Sequence, residues 1–358
     1  MSTSTSTFAN NSQIQVRKEL AKEHNLRYVG IPTSKNTVRI LDRQGSWKLV
    51  DFNGKPLTKD VINLTAFCES RARVQETVDA YHQYFIDEMG NRICNEPSIV
   101  CRDSYFSEGL ASVRDKTHKI GYIDRQGKLA IACSFQQVTE FADSVAWVRY
   151  PLSSCMRELF YLIDKAGNKV TDEPFLAVND FVDGVAGVQI PTFKFKGKRL
   201  CLEAYDCYYV IIDSKGNQLS ENKFAYVEQF AGNVAIAYRQ DNKQIFINKQ
   251  GEQISKNAYE GLGTISNGIC SLPLADQSKA YYIDTYENQI SKAYDEANPF
   301  SEGLACVREQ GKYFFIDCRG EEVFAESFDK AKSFDEGVAQ VQKGQEVFYI
   351  DHTGEKVF

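Results

Sequence analysis

Nine short apolar runs along the 358-residue chain end in Asp, once in Asn, and Gly usually follows three residues later. They are Val50-Asp51, Ile86-Asp87, Ile123-Asp124, Ile163-Asp164, Ile212-Asp213, Ile247-Asn248, Ile283-Asp284, Ile316-Asp317 and Ile350-Asp351. Successive spacings are 36, 37, 40, 49, 35, 36, 33 and 34 residues. A recurrence of this length marks a repeat architecture, whose units bury their apolar sides against one another. An aromatic residue stands two places before the turn residue at Phe85, Tyr122, Phe246, Tyr282, Phe315 and Tyr349. That alternation predicts strands with one buried side. In Tyr122-Ile123-Asp124-Arg125-Gln126-Gly127-Lys128, Asp124 opens a type I turn and its carboxylate accepts bonds from the amides that follow. Gly127 takes the left-handed conformation and returns the chain as a hairpin. Gly54, Gly90, Gly167, Gly216, Gly251, Gly320 and Gly354 repeat the pattern. The seventh copy has Glu287 in the glycine's place, which predicts a longer or looser hairpin there.

A second signature runs between the hairpins. It reads Phe106-Ser107-Glu108-Gly109-Leu110-Ala111-Ser112-Val113, and again from Phe300 to Val307. Looser copies start at Phe67, Phe141, Phe181, Phe230, Ile265 and Phe334, so eight units carry both halves. Together the halves resemble the WG (KWG) repeat, roughly F-x-E-G-L-A-x-V and then G-x-W-G-Y-I-D-x-x-G-K, over about residues 38–358. Residues 106–128 match closely, with Gly121-Tyr122-Ile123-Asp124 and Gly127-Lys128. The namesake Trp-Gly pair is absent: Trp47 precedes Lys48, and Ile120 precedes Gly121. The resemblance implies a β-rich repeat protein with no shared catalytic activity.

The expected fold is all-β, an array of about eight to nine three-stranded antiparallel units with a short N-terminal helix. An open solenoid or superhelix is the expected arrangement, and a closed β-propeller the alternative. The sequence ends at Phe358, four residues after Gly354, where other units continue about ten further, and residues 26–45 show no clear match to the missing piece. Residues 1–13 are expected to form a disordered tail. Residues 14–37 form a lead-in, with a helix over 14–25 that sets Ile14, Val16 and Leu20 on one side. Residues 38–358 form the array.

Apolar content of 43% and aromatic content of 12% suffice for a substantial core. A net charge of −6 argues against nucleic acid as the main partner, since phosphate binding needs a basic footprint. No apolar run approaches the ~20 residues that span a bilayer. The start, MSTSTSTFANNSQ, lacks the positive and apolar regions of a secretory signal, so a cytoplasmic protein is expected. The ten cysteines are scattered without a C-x-x-C pair and are expected as reduced thiols, several of them on strands.

Catalytic patterns are missing, and no cofactor is expected. His24, His82, His118 and His352 share no ligand spacing. The turn aspartates resemble a metal ladder, but calcium needs several oxygens in one loop and each turn offers one Asp. Function is therefore expected at the insertions, where repeat proteins vary. The larger insertion reads as a hairpin turning near Gly197, with Lys194, Lys196, Lys198 and Arg199 alternating with Phe193 and Phe195. It is the expected contact for another protein, an acidic one. The smaller runs from Pro151 to Glu158, at the same end of the array. A non-enzymatic scaffold is the leading expectation. A glycan or small-ligand module is the alternative, with Tyr81, Tyr105 and Tyr259 as groove candidates, and a propeller-type hydrolase is third.

Overall fold

The computed structural model describes residues 11–78, 83–94, 99–100, 104–150, 159–191, 193–196, 199–202 and 207–357. Among the described residues one helix, Asn11–His24, precedes the sheets. Ten antiparallel sheets form among the described residues, nine in chain order and a separate two-stranded ribbon. Sheet 1 holds Tyr28–Val29, Thr37–Leu41 and Trp47–Asp51; sheet 2 holds Asn63–Leu64, Arg71–Gln75 and Gln83–Asp87. Sheet 3 holds Ile99–Val100, Leu110–Asp115, Ile120–Asp124 and a fourth strand, Leu129–Phe135. Sheet 4 holds Gln137–Val138, Val145–Arg149 and Tyr161–Asp164; sheet 5 holds Ala177–Val178, Val185–Ile190 and Tyr208–Asp213. Sheet 6 holds Tyr226–Val227, Val234–Tyr238 and Gln244–Asn248; sheet 7 holds Ile269–Pro273 and Ala280–Asp284. Sheet 8 holds Glu296–Ala297, Leu304–Glu309 and Lys312–Asp317; sheet 9 holds Lys330–Ala331, Ala339–Lys343 and Glu346–Ile350. The expected array of three-stranded units thus forms. In all but sheet 7, which has two strands, a short inner strand pairs with a middle strand, and in each of the nine the middle strand pairs with a third that ends at or beside the turn residue.

The turns follow the expected chemistry. Asp124 Oδ1 accepts the amides of Gln126 and Lys128, both at 2.9 Å. Gly127 sits at φ 79°. A Cβ there would lie 2.5 Å from the Ile93 carbonyl oxygen, so glycine is required by space as well as by backbone angle. At the seventh turn the expectation of a looser hairpin fails. Glu287 adopts φ 70°, its amide bonds the Asp284 carbonyl at 3.0 Å, and the Asn288 amide reaches Asp284 Oδ1 at 2.8 Å. The turn is as tight as the others. Its carboxylate offsets the strain by accepting the amides of Lys256 (2.8 Å) and Asn257 (2.9 Å) and the hydroxyl of Tyr259 (2.5 Å).

Each sheet buries its faces against its neighbours. The aromatic residue before a turn meets the phenylalanine that opens the second signature in the next unit. Phe85–Phe106 and Tyr122–Phe141 centroids are 4.9 Å apart, and Tyr282–Phe300 and Phe315–Phe334 are 5.0 Å apart, all edge to face. The signature alanine faces back onto the preceding sheet. Ala111 packs with Phe85, Ala146 with Tyr122, Ala305 with Tyr282 and Ala339 with Phe315.

The polar residues of the same signature reach forward. Ser107 and Ser301 donate to the carbonyls of Phe141 and Phe334 in the next unit, each at 2.7 Å. Glu69 accepts the Gly109 amide and Arg125, both at 2.9 Å. Glu108 accepts the Ser144 amide and Lys165, again at 2.9 Å. Asp143 accepts the Gly184 amide at 2.7 Å, and Glu302 the Gly337 amide at 3.0 Å. The carboxylate thus latches its unit to the next, and the latching base stands directly after a turn aspartate.

The two ends of the array meet, which decides between the free-ended and closed arrangements. Tyr28, Leu41 and Trp47 of sheet 1 pack on Val338, Tyr349 and Val357. The Glu336 carboxylate accepts bonds from Tyr28 and Arg39, both at 2.5 Å, and its backbone carbonyl accepts one from Arg17 at 2.9 Å. Among the described residues no sheet takes strands from both ends. The seam is irregular in a second way. Val38 and Ile40, which hold the place of the signature alanine's face, pack on Leu20, Ala21 and Leu26 around the N-terminal helix rather than on sheet 9. Arg17 is fully buried between them and donates to the Val29 carbonyl at 2.9 Å.

Two predictions follow from these contacts. Glu287→Gly relieves the left-handed strain and loses the three hydrogen bonds, whereas Glu287→Ala loses the bonds and keeps the strain. Urea unfolding should therefore show the alanine variant less stable than the glycine variant by about 1 kcal/mol. Glu336→Ala leaves Arg39 partly buried without its carboxylate and should cost about 3 kcal/mol, against about 1 kcal/mol for the more exposed latch Glu108→Ala. Equal losses in thermal or urea unfolding would contradict the special weight of the seam.

Candidate functional site

Both insertions occupy the same connection in adjacent sheets. One joins Arg149 to Tyr161 in sheet 4, and the other joins Ile190 to Tyr208 in sheet 5. In sheets 8 and 9 the equivalent link is only the two residues between Glu309 and Lys312 or between Lys343 and Glu346. Strand direction alternates in an antiparallel sheet, so this connection lies at the end opposite the Asp turns and latches. The insertions therefore share one face of the array.

The expected hairpin forms. Phe193–Lys196 pairs with Arg199–Leu202 in the register Phe193↔Leu202, Lys194↔Cys201, Phe195↔Leu200 and Lys196↔Arg199. Phe193, Phe195, Leu200 and Leu202 thus take register positions on one side of the ribbon, and Lys194, Lys196 and Arg199 on the other. Lys198 and residues 151–158 lie outside the described residues. The ribbon pairs with no other strand among the described residues.

Beneath the insertions lies a layer of tyrosines that the sequence reading did not single out. Tyr150 and Tyr161 stand 5.7 Å apart, and Lys169 Nζ sits 3.9 Å from the Tyr161 ring and 5.0 Å from Tyr150. In sheet 5, Lys223 Nζ sits 4.1 Å over Tyr208. Tyr209, Tyr226 and Tyr238 continue the layer into sheet 6 at 5.1 and 5.6 Å. Neither Lys169 nor Lys223 has an ion-pair partner among the described residues. On the same face of the later units lysines are neutralised, by Glu260 at Lys243, Glu309 at Lys292, Asp329 at Lys312 and Glu326 at Lys343. The groove candidates do not come together. Tyr105 is 54% exposed before the signature of unit 3, Tyr259 is half-buried on the edge of sheet 6, and Tyr81 lies outside the described residues.

Carboxyls also gather between the inner and middle strands. Burial raises the pKa of Glu140, Asp180, Glu228 and Asp335. Glu140 is pushed up to about 7, chiefly by burial, against hydrogen bonds such as that from the Ser112 hydroxyl at 3.3 Å. Among the described residues no three His, Cys, Asp or Glu side chains are placed to hold a metal ion. The turn aspartates instead cap their own loops, as at Asp164 and Asp213.

A raised carboxyl pKa means that the folded state holds the proton more tightly. The stability Glu140 contributes is complete below about pH 4.5 and is lost as pH rises through about 7. Glu140→Gln should match the wild type near pH 4.5 and exceed it by about 2 kcal/mol at pH 8 in urea unfolding. A pH-independent difference would contradict this.

A family model described as a WG containing repeat matches residues 120–150, 282–313 and 314–346. No curated protein matches the sequence. Among solved structures, the chain is similar to the computationally designed Ika8 protein at 15% identity and a TM-score of 0.41, covering 80% of this chain and 94% of that one. A eukaryotic initiation factor gives 12% identity and 0.44, covering 93% and 87%. BamB from Moraxella catarrhalis gives 10% identity and 0.37, covering 90% and 95%. Likeness this distant transfers neither architecture nor function. The three matched regions coincide with units whose signature and hairpin were assigned above, and in them the chain carries WG-type repeats.

Proposed function

We propose that this WG-repeat protein is a non-enzymatic, cytoplasmic scaffold that holds another protein against its insertion-bearing face. One observation carries the reading: the two longest links between a middle and a third strand fall in neighbouring sheets 4 and 5, while the other sheets make that connection in two to seven residues. Variation confined to one face of a rigid repeat array is how such proteins build binding surfaces without disturbing the core. The ribbon Phe193–Lys196 and Arg199–Leu202 adds backbone groups on its outer edges that a partner strand can pair with. Its alternation sets a basic row of register positions against an apolar one, which suits a partner with acidic and apolar residues.

The test is a cross-linked capture with the wild type beside a variant lacking residues 191–200. A specific protein should be retained by the wild type and lost with the deletion. Charge reversal at Lys194, Lys196, Lys198 and Arg199 should weaken its binding at least tenfold, by about 1.4 kcal/mol, in a variant that unfolds at the wild-type temperature. Recovery of the same proteins by wild type and deletion alike would refute the assignment of the site. Binding of a soluble glycan with tyrosine fluorescence quenching would favour the ligand-module alternative.

A further inference from the structure

We propose that the tyrosine layer beneath the insertions, with Lys169 and Lys223, is a contact for an acidic peptide segment of the partner. The inference rests on the docking-face reading and names the chemistry of what docks. Three observations support it, all on described side chains. First, Lys169 and Lys223 hold their ammonium groups over the rings of Tyr161 and Tyr208, at 3.9 and 4.1 Å. Stacking fixes each charge in place yet leaves hydrogen-bond donors free for an incoming carboxylate. Second, the neutralising pattern of the later units stops here. Lys243, Lys292, Lys312 and Lys343 each hold an acid, whereas Asp172, Glu173 and Glu221 lie close in sequence to Lys169 and Lys223 but form no ion pair with either lysine. Third, the two lysines belong to sheets 4 and 5, the pair that carries the insertions, and Tyr208 packs in the same cluster as Phe160 and Val170 of sheet 4. The two stacked charges therefore belong to neighbouring sheets that pack on each other.

An acidic segment gains on this surface what water does not provide: two oriented cations and aromatic faces to cover its stem. Nucleic acid is disfavoured because the whole chain is acidic, with a net charge of −6. A segment of acidic residues interleaved with aromatic ones fits the combination of fixed lysines and exposed ring edges such as Tyr226, 43% exposed.

The test uses the full chain and a fluorescein-labelled peptide of four Glu-Glu-Tyr repeats, read by anisotropy. A peptide of four Lys-Lys-Tyr repeats and a twelve-nucleotide uridine RNA serve as competitors. The acidic peptide should bind, weaken as salt rises, and bind at least tenfold more weakly to a Lys169→Glu, Lys223→Glu variant. A Lys169→Gln, Lys223→Gln variant should weaken binding several-fold, and thermal unfolding should show both variants folded. Absence of binding by the wild type, unchanged binding by the folded variants, or stronger binding of the RNA or the basic peptide would each overturn the proposal. If deletion of residues 191–200 abolishes capture of a protein while lysine reversal changes neither capture nor peptide binding, the scaffold reading survives and this one does not.

Discussion

The structure depends on one recurrent contact, the junction between each sheet and the next. A three-stranded sheet of short strands cannot exclude water from either face alone, so stability has to come from stacking. The junction combines an edge-to-face aromatic pair, a close alanine and a carboxylate latch. The aromatic pair and the alanine bury area, as at Phe315, Phe334 and Ala339. The latch sets orientation, because Glu108 bonds both a backbone amide and Lys165 of the following unit and is satisfied only in one register. Both halves of the sequence repeat are thus residues of the interface between units.

The seam shows what happens when that grammar runs out. Sheet 1 lacks the second signature and offers the opposite face to sheet 9. Its alanine-equivalent face is covered by the N-terminal helix. Glu336 still acts as the latch, but its partners are Tyr28, Arg39 and Arg17 rather than a glycine amide and a post-turn base. Arg39 also donates to the Leu64 carbonyl, which ties the same guanidinium to sheet 2. Closure therefore rests on a few partly buried charged groups, a strongly coupled arrangement in which each loss exposes the others.

The array has two unlike faces. One carries the turns and latches, where most polar groups have partners in the next unit and change is constrained. The other carries the connections that repeat proteins are free to lengthen. The insertions in sheets 4 and 5 fall there, and so do the lysines that stack on tyrosine in place of pairing with acids.

The period, the strands and the turns were legible in the sequence because each is a local property. Asp124 and Gly127 carry their turn in their own chemistry, and the alternation before it needs only the pleat. The hairpin turning near Gly197 was legible for the same reason. Glu287 misled because its positive φ is supported by amides some thirty residues away, which no local rule sees. The latch role of Glu108 and the partners of Arg17 were likewise hidden: each joins residues brought together only by folding. Sequence by itself determined what a unit is, since hydrogen bonds within a hairpin and alternation across a strand act over a few residues. Tertiary structure alone decided how the ends meet and which charges remain unpaired, because burial and charge pairing are set by whichever units become neighbours.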